Sequence, residues 1–123
     1  MAKAAELTKQ TDGDELSLVF GALADPTRRA ILERLRSGDA SVTDLARPFS
    51  ISMPAVTRHL KVLERAGLVQ RLRDAQWRPC RLHAEPLGTA NRWMEQYRHL
   101  WEQRFNNLSD YLDRIQRTDT EEE

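Results

Sequence analysis

The residues best equipped for chemistry lie between positions 52 and 81. Ser52, Pro54, Ala55 and Thr57 are small or short polar side chains, and Arg58 and Lys61 follow within one helical turn of Thr57. Val56, Leu60 and Leu63 recur at i, i+4 and i+7, which is the spacing of one buried helical stripe, so the small and basic residues fall on the other faces. A helix enters a DNA major groove only if its leading residues allow close approach and reach base edges. This segment meets both conditions. Arg58 is the foremost base-contacting candidate, because a guanidinium pairs bidentately with a guanine edge. Lys61 and Arg65 suit phosphate, and Arg71, Arg73, Arg78 and Arg81 could follow the adjacent backbone or minor groove.

Other chemistries are poorly supplied. There is no nucleophile with a plausible base, no Gly-rich phosphate loop and no carboxylate pair in an acid–base setting, so an enzyme is not expected. Cys80 is the only cysteine, which excludes an intrachain disulfide and a cysteine pair clamping a metal within one subunit. An intersubunit bridge or a free thiol remains, and an inert half-buried side chain is the expectation. His83 reads as a strand-end surface residue. His99, beside Glu95 and Glu102, reads as a surface ion-pairing residue rather than a ligand. Neither metal nor cofactor is expected.

The elements that must position the basic face can be read in order. Residues 1–13 lack periodicity and are expected to form a mobile arm. Leu16, Val19, Phe20 and Leu23 recur at helical spacing. Asp25-Pro26 places an N-cap and a first-turn proline before a second helix with Ile31, Leu32 and Leu35 on its stripe, ended by Gly38. Ser41 starts a third helix carrying Val42, Leu45, Ala46 and Phe49. Ser50-Ile51-Ser52 is expected as a three-residue turn, and Gly67 as the residue that closes the following helix. Beyond Gly67 the period becomes alternating through Leu68–Arg73 and Trp77–His83, with Asp74-Ala75-Gln76 between, which predicts a β-hairpin with Pro79 on an edge strand. From Leu87 to Ile115 apolar residues recur at spacings of three and four, predicting one helix of about 40 Å. Its stripe, including Trp93, Tyr97, Trp101, Phe105, Leu108 and Leu112, is more than one small domain can cover. A contact with a second subunit is therefore expected, in preference to an apolar ligand pocket. Thr118 to Glu123 is expected to fray as an acidic tail.

The chain has 123 residues, with 19 basic and 19 acidic side chains and a mean hydropathy of −0.66. Formal neutrality conceals segregation. Residues 1–40 carry −1, residues 41–83 carry +5 and residues 84–123 carry −4, so the basic excess coincides with the expected helix and hairpin. No run approaches a membrane span and no apolar leader is evident, so a cytoplasmic protein with no membrane partner is the expectation.

Two further stretches, Phe20 to Leu32 (FGALADPTRRAIL) and Val56-Thr57-Arg58-His59-Leu60-Lys61-Val62-Leu63 followed by Ala66-Gly67-Leu68-Val69, resemble the ArsR-type winged helix-turn-helix repressors over about residues 16–115. The resemblance implies a mainly α fold with a small β-hairpin wing, forming a homodimer through the first and last helices. Leu16, Val19 and Phe20 would then join the C-terminal stripe in dimerisation. It also implies an inverted-repeat operator in double-stranded DNA, autorepression, and a DNA-reading set of Ser52, Pro54, Ala55, Thr57, Arg58, His59 and Lys61 with a wing at Arg71 to Arg81. Asp25, Pro26 and Arg28 would serve as a helix start. The expected organisation is an arm at 1–13, a DNA-binding part at 14–86, a dimerisation helix at 87–117 and a tail at 118–123. Where some members of the family carry a Cys-x-Cys metal site, this chain has Ser41-Val42-Thr43-Asp44-Leu45, and metal sensing is not expected. No inducer is named by the sequence. The competing interpretation is a winged-helix interaction module for an acidic protein partner, with Arg58 and the wing binding carboxylates.

Overall fold

Four short polar side chains start the first four helices among the described residues. Asp14, Asp25, Ser41 and Ser52 each accept a hydrogen bond from the backbone N–H three residues on, at 2.7, 3.0, 3.1 and 3.3 Å. Each cap satisfies a donor that the first helical turn leaves unpaired and stabilises its helix by about 1 kcal/mol. The structure is a computed structural model that describes residues 14–73 and 77–122, with side chains as far as Thr118. The arm expected at 1–13 and the turn expected at 74–76 lie outside the described residues.

The element order is α1 (Glu15–Leu23), α2 (Pro26–Leu35), α3 (Val42–Ala46), α4 (Met53–Arg65), β1 (Val69–Arg71), β2 (Cys80–Leu82), α5 (Glu85–Glu95) and α6 (Arg98–Glu122). Apolar stripes of α1 to α4 meet in one core containing Val19, Ile31, Leu35, Leu45, Val56, Leu60, Leu63 and Leu68, with Leu16, Phe20, Leu23, Val42 and Phe49 partly buried against it. β1 and β2 pair antiparallel, with Val69 opposite Leu82, Gln70 opposite Arg81 and Arg71 opposite Cys80. Cys80 is also bridged on its other side by Ala40, whose N–H donates to the Cys80 carbonyl at 3.1 Å and whose carbonyl accepts from the Cys80 N–H at 2.7 Å. The hairpin is thereby tied to the connection between α2 and α3.

Several expectations change. The hairpin is shorter than the alternating pattern suggested, and Pro79 precedes β2, its carbonyl accepting from the Leu72 N–H at 2.9 Å. α3 stops at Ala46, so the connection to α4 spans 47–52 rather than three residues; Phe49 packs on the core from this loop. The single long helix is two. It begins at Glu85 and is interrupted at Gln96 and Tyr97, where the Tyr97 N–H donates to Met94 O and the Leu100 N–H to Tyr97 O, each at 3.0 Å, in tight i→i+3 bonds. Helix also continues through Glu122, where fraying was expected from Thr118. Val19, assigned to dimerisation by resemblance, is wholly buried in the protomer core and offers a second copy nothing to touch.

The described residues divide after Ala90 into two compact units. In the second, the Trp93 and Tyr97 rings pack at 5.1 Å between centroids, and Arg98 joins Glu95 and Glu102 at 2.7 and 2.6 Å.

α4 ends where the chain must reverse toward β1. Gly67 has φ +77°, its N–H donates to Glu64 O and the Leu68 N–H reaches back to Leu63 O, both at 2.9 Å. This is a Schellman closure, which favours glycine because an L side chain is strained in the left-handed region. An added Cβ would sit 3.4 Å from Pro86 Cγ, an ordinary contact, so the cost lies in the backbone. Gly67→Ala is expected to lower stability by roughly 1–2 kcal/mol, read as a reduced urea midpoint with an unchanged slope. An unchanged midpoint would contradict this role.

Candidate nucleic-acid interface

The rotation of α4 about its axis is set by Val56, Leu60 and Leu63, each with 0 % of its surface exposed. With that stripe inward, Ser52, Pro54, Arg58, Lys61 and Arg65 are exposed, and Ala55 and Thr57 are half-buried at the edge. The outward face combines small residues near the helix start with cations further along. Between α4 and the hairpin runs a cleft of about 490 Å3 lined by Thr57, Lys61, Glu64, Arg71, Leu72, Arg73 and Arg78. The structure therefore brings three of the four hairpin arginines to the same cleft as the helix. Arg78 adopts φ +41°, a left-handed conformation that costs a non-glycine residue energy and orients the backbone just before Pro79.

Arg81 and His59, both in the expected DNA-contacting set, have partners outside the cleft. Arg81 is engaged by Asp39: Nε donates to Oδ1 at 3.0 Å and Nη2 to Oδ2 at 2.8 Å. This bidentate pair occupies the guanidinium and fastens β2 to the turn after α2, so Arg81 is a brace for the wing. The Arg81 guanidinium holds the Asp39 carboxyl below the usual carboxylate range, and Asp39 raises Arg81 in turn. His59 is turned toward the junction of α1 and α2. Its Nδ1 lies 3.3 Å from Arg28 Nη1 and 3.8 Å from Asp25 Oδ2, and it is half-buried there. A guanidinium only donates, so Nδ1 accepts in this contact.

Arg28 also donates to Ala22 O at 2.7 Å and Gly21 O at 2.9 Å, closing the end of α1. Asp25 caps α2, and the Arg28 backbone N–H, aided by the charge of Arg28, holds its carboxyl below the usual range. The structure thus gives Asp25, Pro26 and Arg28 the helix-starting role inferred for them, and adds a tie from Arg28 to α4.

Cys80 is wholly buried, not half-buried, and burial pushes its thiol up, only partly offset by Arg71. A thiol in that state is a poor nucleophile. Sequence reasoning missed Asp39 and Ala40 as wing-positioning residues, since nothing local marks their pairing. Among the described residues, no group of three histidine, cysteine or acidic side chains is arranged to hold a metal ion, and no helix is long and apolar enough to cross a membrane.

A capped helix-turn-helix followed by a basic hairpin defines a winged helix-turn-helix DNA-binding protein. Residues 23–71 match a family described as a helix-turn-helix domain. The transcriptional repressor SdpR of Bacillus subtilis (strain 168) is 38 % identical over 76 residues, covering 62 % of this chain and 84 % of its own. A crystal structure of an ArsR family transcriptional regulator is 38 % identical, covers 72 % of this chain and 98 % of its own, and superposes with a TM-score of 0.67. An ArsR-like transcriptional regulator from Rhodococcus sp. RHA1 is 31 % identical over 79 % of this chain and 92 % of its own, with a TM-score of 0.62. The chain belongs to the ArsR family of winged helix-turn-helix transcriptional regulators.

The Asp39–Arg81 pair predicts a pH signature. Because the folded-state pKa of Asp39 is depressed, the pair adds stability above the unfolded carboxylate value, about 3.9, and loses it as pH falls through the folded value. Asp39→Asn removes that contribution. Its Tm deficit against the native chain is expected to be largest near pH 7 and to shrink toward pH 3; a deficit equal at both would contradict the pairing.

Proposed function

We propose that the chain is a homodimeric repressor that binds an inverted-repeat operator through α4 and the hairpin, and regulates its own transcription unit without a metal co-ligand. The observation that carries this is the cleft shared by α4 and three wing arginines, beside a helix face small enough for groove entry. Ser52, Pro54, Ala55, Thr57 and Arg58 meet base edges in this scheme, while Lys61, Arg65, Arg71, Arg73 and Arg78 meet phosphates. The family supports a DNA partner, and chromosomal DNA as the target makes the cytoplasm its location.

Dimerisation is supported by α6. Trp101 and Phe105 leave 59 % and 70 % of their surface exposed, and Leu108, Leu112 and Ile115 extend the apolar face along the same helix. An apolar face of that length in water is what a second copy would cover. Leu16 and Phe20 are partly buried on the first helix and remain candidates for the same interface, with residues 14–86 as the DNA-binding part and 87–117 as the dimerising part. Twofold symmetry then dictates an inverted repeat with half-sites about one helical turn apart. Metal independence is supported by the donor chemistry at the start of α3, where Ser41, Val42 and Thr43 supply no thiol.

Selection of duplexes from a random pool tests the operator symmetry directly, an inverted repeat being the expected product. Against the selected duplex, Arg58→Ala should cost roughly 1–3 kcal/mol and relax discrimination at one base pair per half-site. Uniform weakening on every sequence would make Arg58 a phosphate contact, and no selectable duplex would favour an acidic protein partner. Trp101→Glu is expected to convert the dimer to a monomer in sedimentation velocity. A variant that still sediments as a dimer would move the interface away from α6.

A further inference from the structure

Within the cleft one side chain has the wrong charge for its surroundings. Lys61, Arg71, Arg73 and Arg78 are cationic, and Glu64 is the one carboxylate among the described lining residues. It lies on α4 three residues after Lys61 and faces the end of β1, with Oε1 3.7 Å from Arg71 Nη1. About a third of each side chain is exposed, 32 % for Arg71 and 35 % for Glu64. The separation exceeds hydrogen-bond length, and solvent-screened pairs of this kind add little to stability. The fold therefore has little need of the pair. Its larger consequence is on the field of the cleft, where a carboxylate opposes an approaching phosphate and competes with it for Arg71.

We infer that Glu64 is a specificity-determining residue: it holds Arg71 from bulk DNA, so that only a duplex whose bases also engage α4 draws Arg71 onto the backbone. This rests on the proposal that the cleft binds DNA. Sequence-independent attraction comes from phosphate neutralisation and scales with the number of cations free to make it. An arginine held by a carboxylate neutralises no phosphate and so displaces no counterion from the DNA. Withholding one contact from every sequence lowers non-specific affinity, while base contacts on the operator offset the loss, so the ratio between the two rises.

The test uses the full chain and its Glu64→Gln, Arg71→Gln and doubly substituted forms, titrated by fluorescence anisotropy against a random-sequence duplex and the selected duplex at 50 to 200 mM KCl. Glu64→Gln should tighten binding to the random duplex and steepen its log K against log salt slope by about 0.9, one extra phosphate contact. Its advantage over the native chain should therefore shrink about threefold across that salt range. The ratio of selected to random affinity should fall. In the Arg71→Gln background the same substitution should leave the slope unaltered. An unchanged slope in Glu64→Gln, or equal steepening without Arg71, overturns the inference while native binding stands. If the native chain binds neither duplex, the DNA proposal fails and this inference with it. Glu64→Ala gives the same readout should the glutamine disturb α4.

Discussion

Burial of Val56, Leu60 and Leu63 is the constraint on which the rest of the molecule turns. The three side chains lie on one stripe of α4 and contact the core built by α1, α2 and α3. Rolling α4 to present another face would return them to water at roughly 1.5–3 kcal/mol each, so the helix has one rotational setting. That setting exposes Arg58 and Lys61 and leaves the small residues of the first turn at the surface. The exposed small and basic face is thus a by-product of the buried one. The Ser52 cap and the Gly67 closure fix where the helix begins and ends, which sets how far the cationic face extends.

The wing depends on the same core through two attachments. Leu68 is buried directly after the Gly67 turn, so β1 leaves the core in a fixed direction. Ala40 then holds Cys80 by paired backbone bonds, and Asp39 holds Arg81, so β2 is anchored to the connection between α2 and α3. With both strands tied, Arg71 at the end of β1 is held beside α4. Arg28 performs a comparable task at the other side of α4, linking the end of α1 to His59. Charge acts on this frame only after packing has set it: Lys61 and the wing arginines Arg71, Arg73 and Arg78, from the +5 segment 41–83, line one cleft beside α4.

What could be read from the sequence was whatever is local. Asp25, Ser41 and Ser52 announce helix starts through side chains that cap their own backbone, Val56, Leu60 and Leu63 announce a stripe by spacing, and Gly67 announces a stop by its freedom to take positive φ. The exposed small and basic residues of α4 were legible for the same reason. Contacts distant in sequence were not. Asp39 and Arg81 are 42 residues apart, and an arginine in an alternating run looks identical whether it meets phosphate or aspartate. His59 sits between Arg58 and Leu60, near the border of the buried stripe, where spacing alone leaves its partner undefined. The interruption at Gln96 and Tyr97 carries neither glycine nor proline, so the apolar period runs through it unmarked. α3 ends at Ala46 although Phe49 keeps the period, because Phe49 reaches the core from a loop.

An NMR titration of the isotopically labelled chain with the selected duplex, set against a shuffled duplex of the same composition, bears most directly on α4 and the hairpin as the sequence-reading surface. Amide shifts across residues 52–58 should change only with the selected duplex, while those of 73 and 77–78 should respond to both, since bases specify and phosphates merely attract. Equal perturbation of 52–58 by both duplexes, or perturbation centred away from α4 and the hairpin, would contradict it.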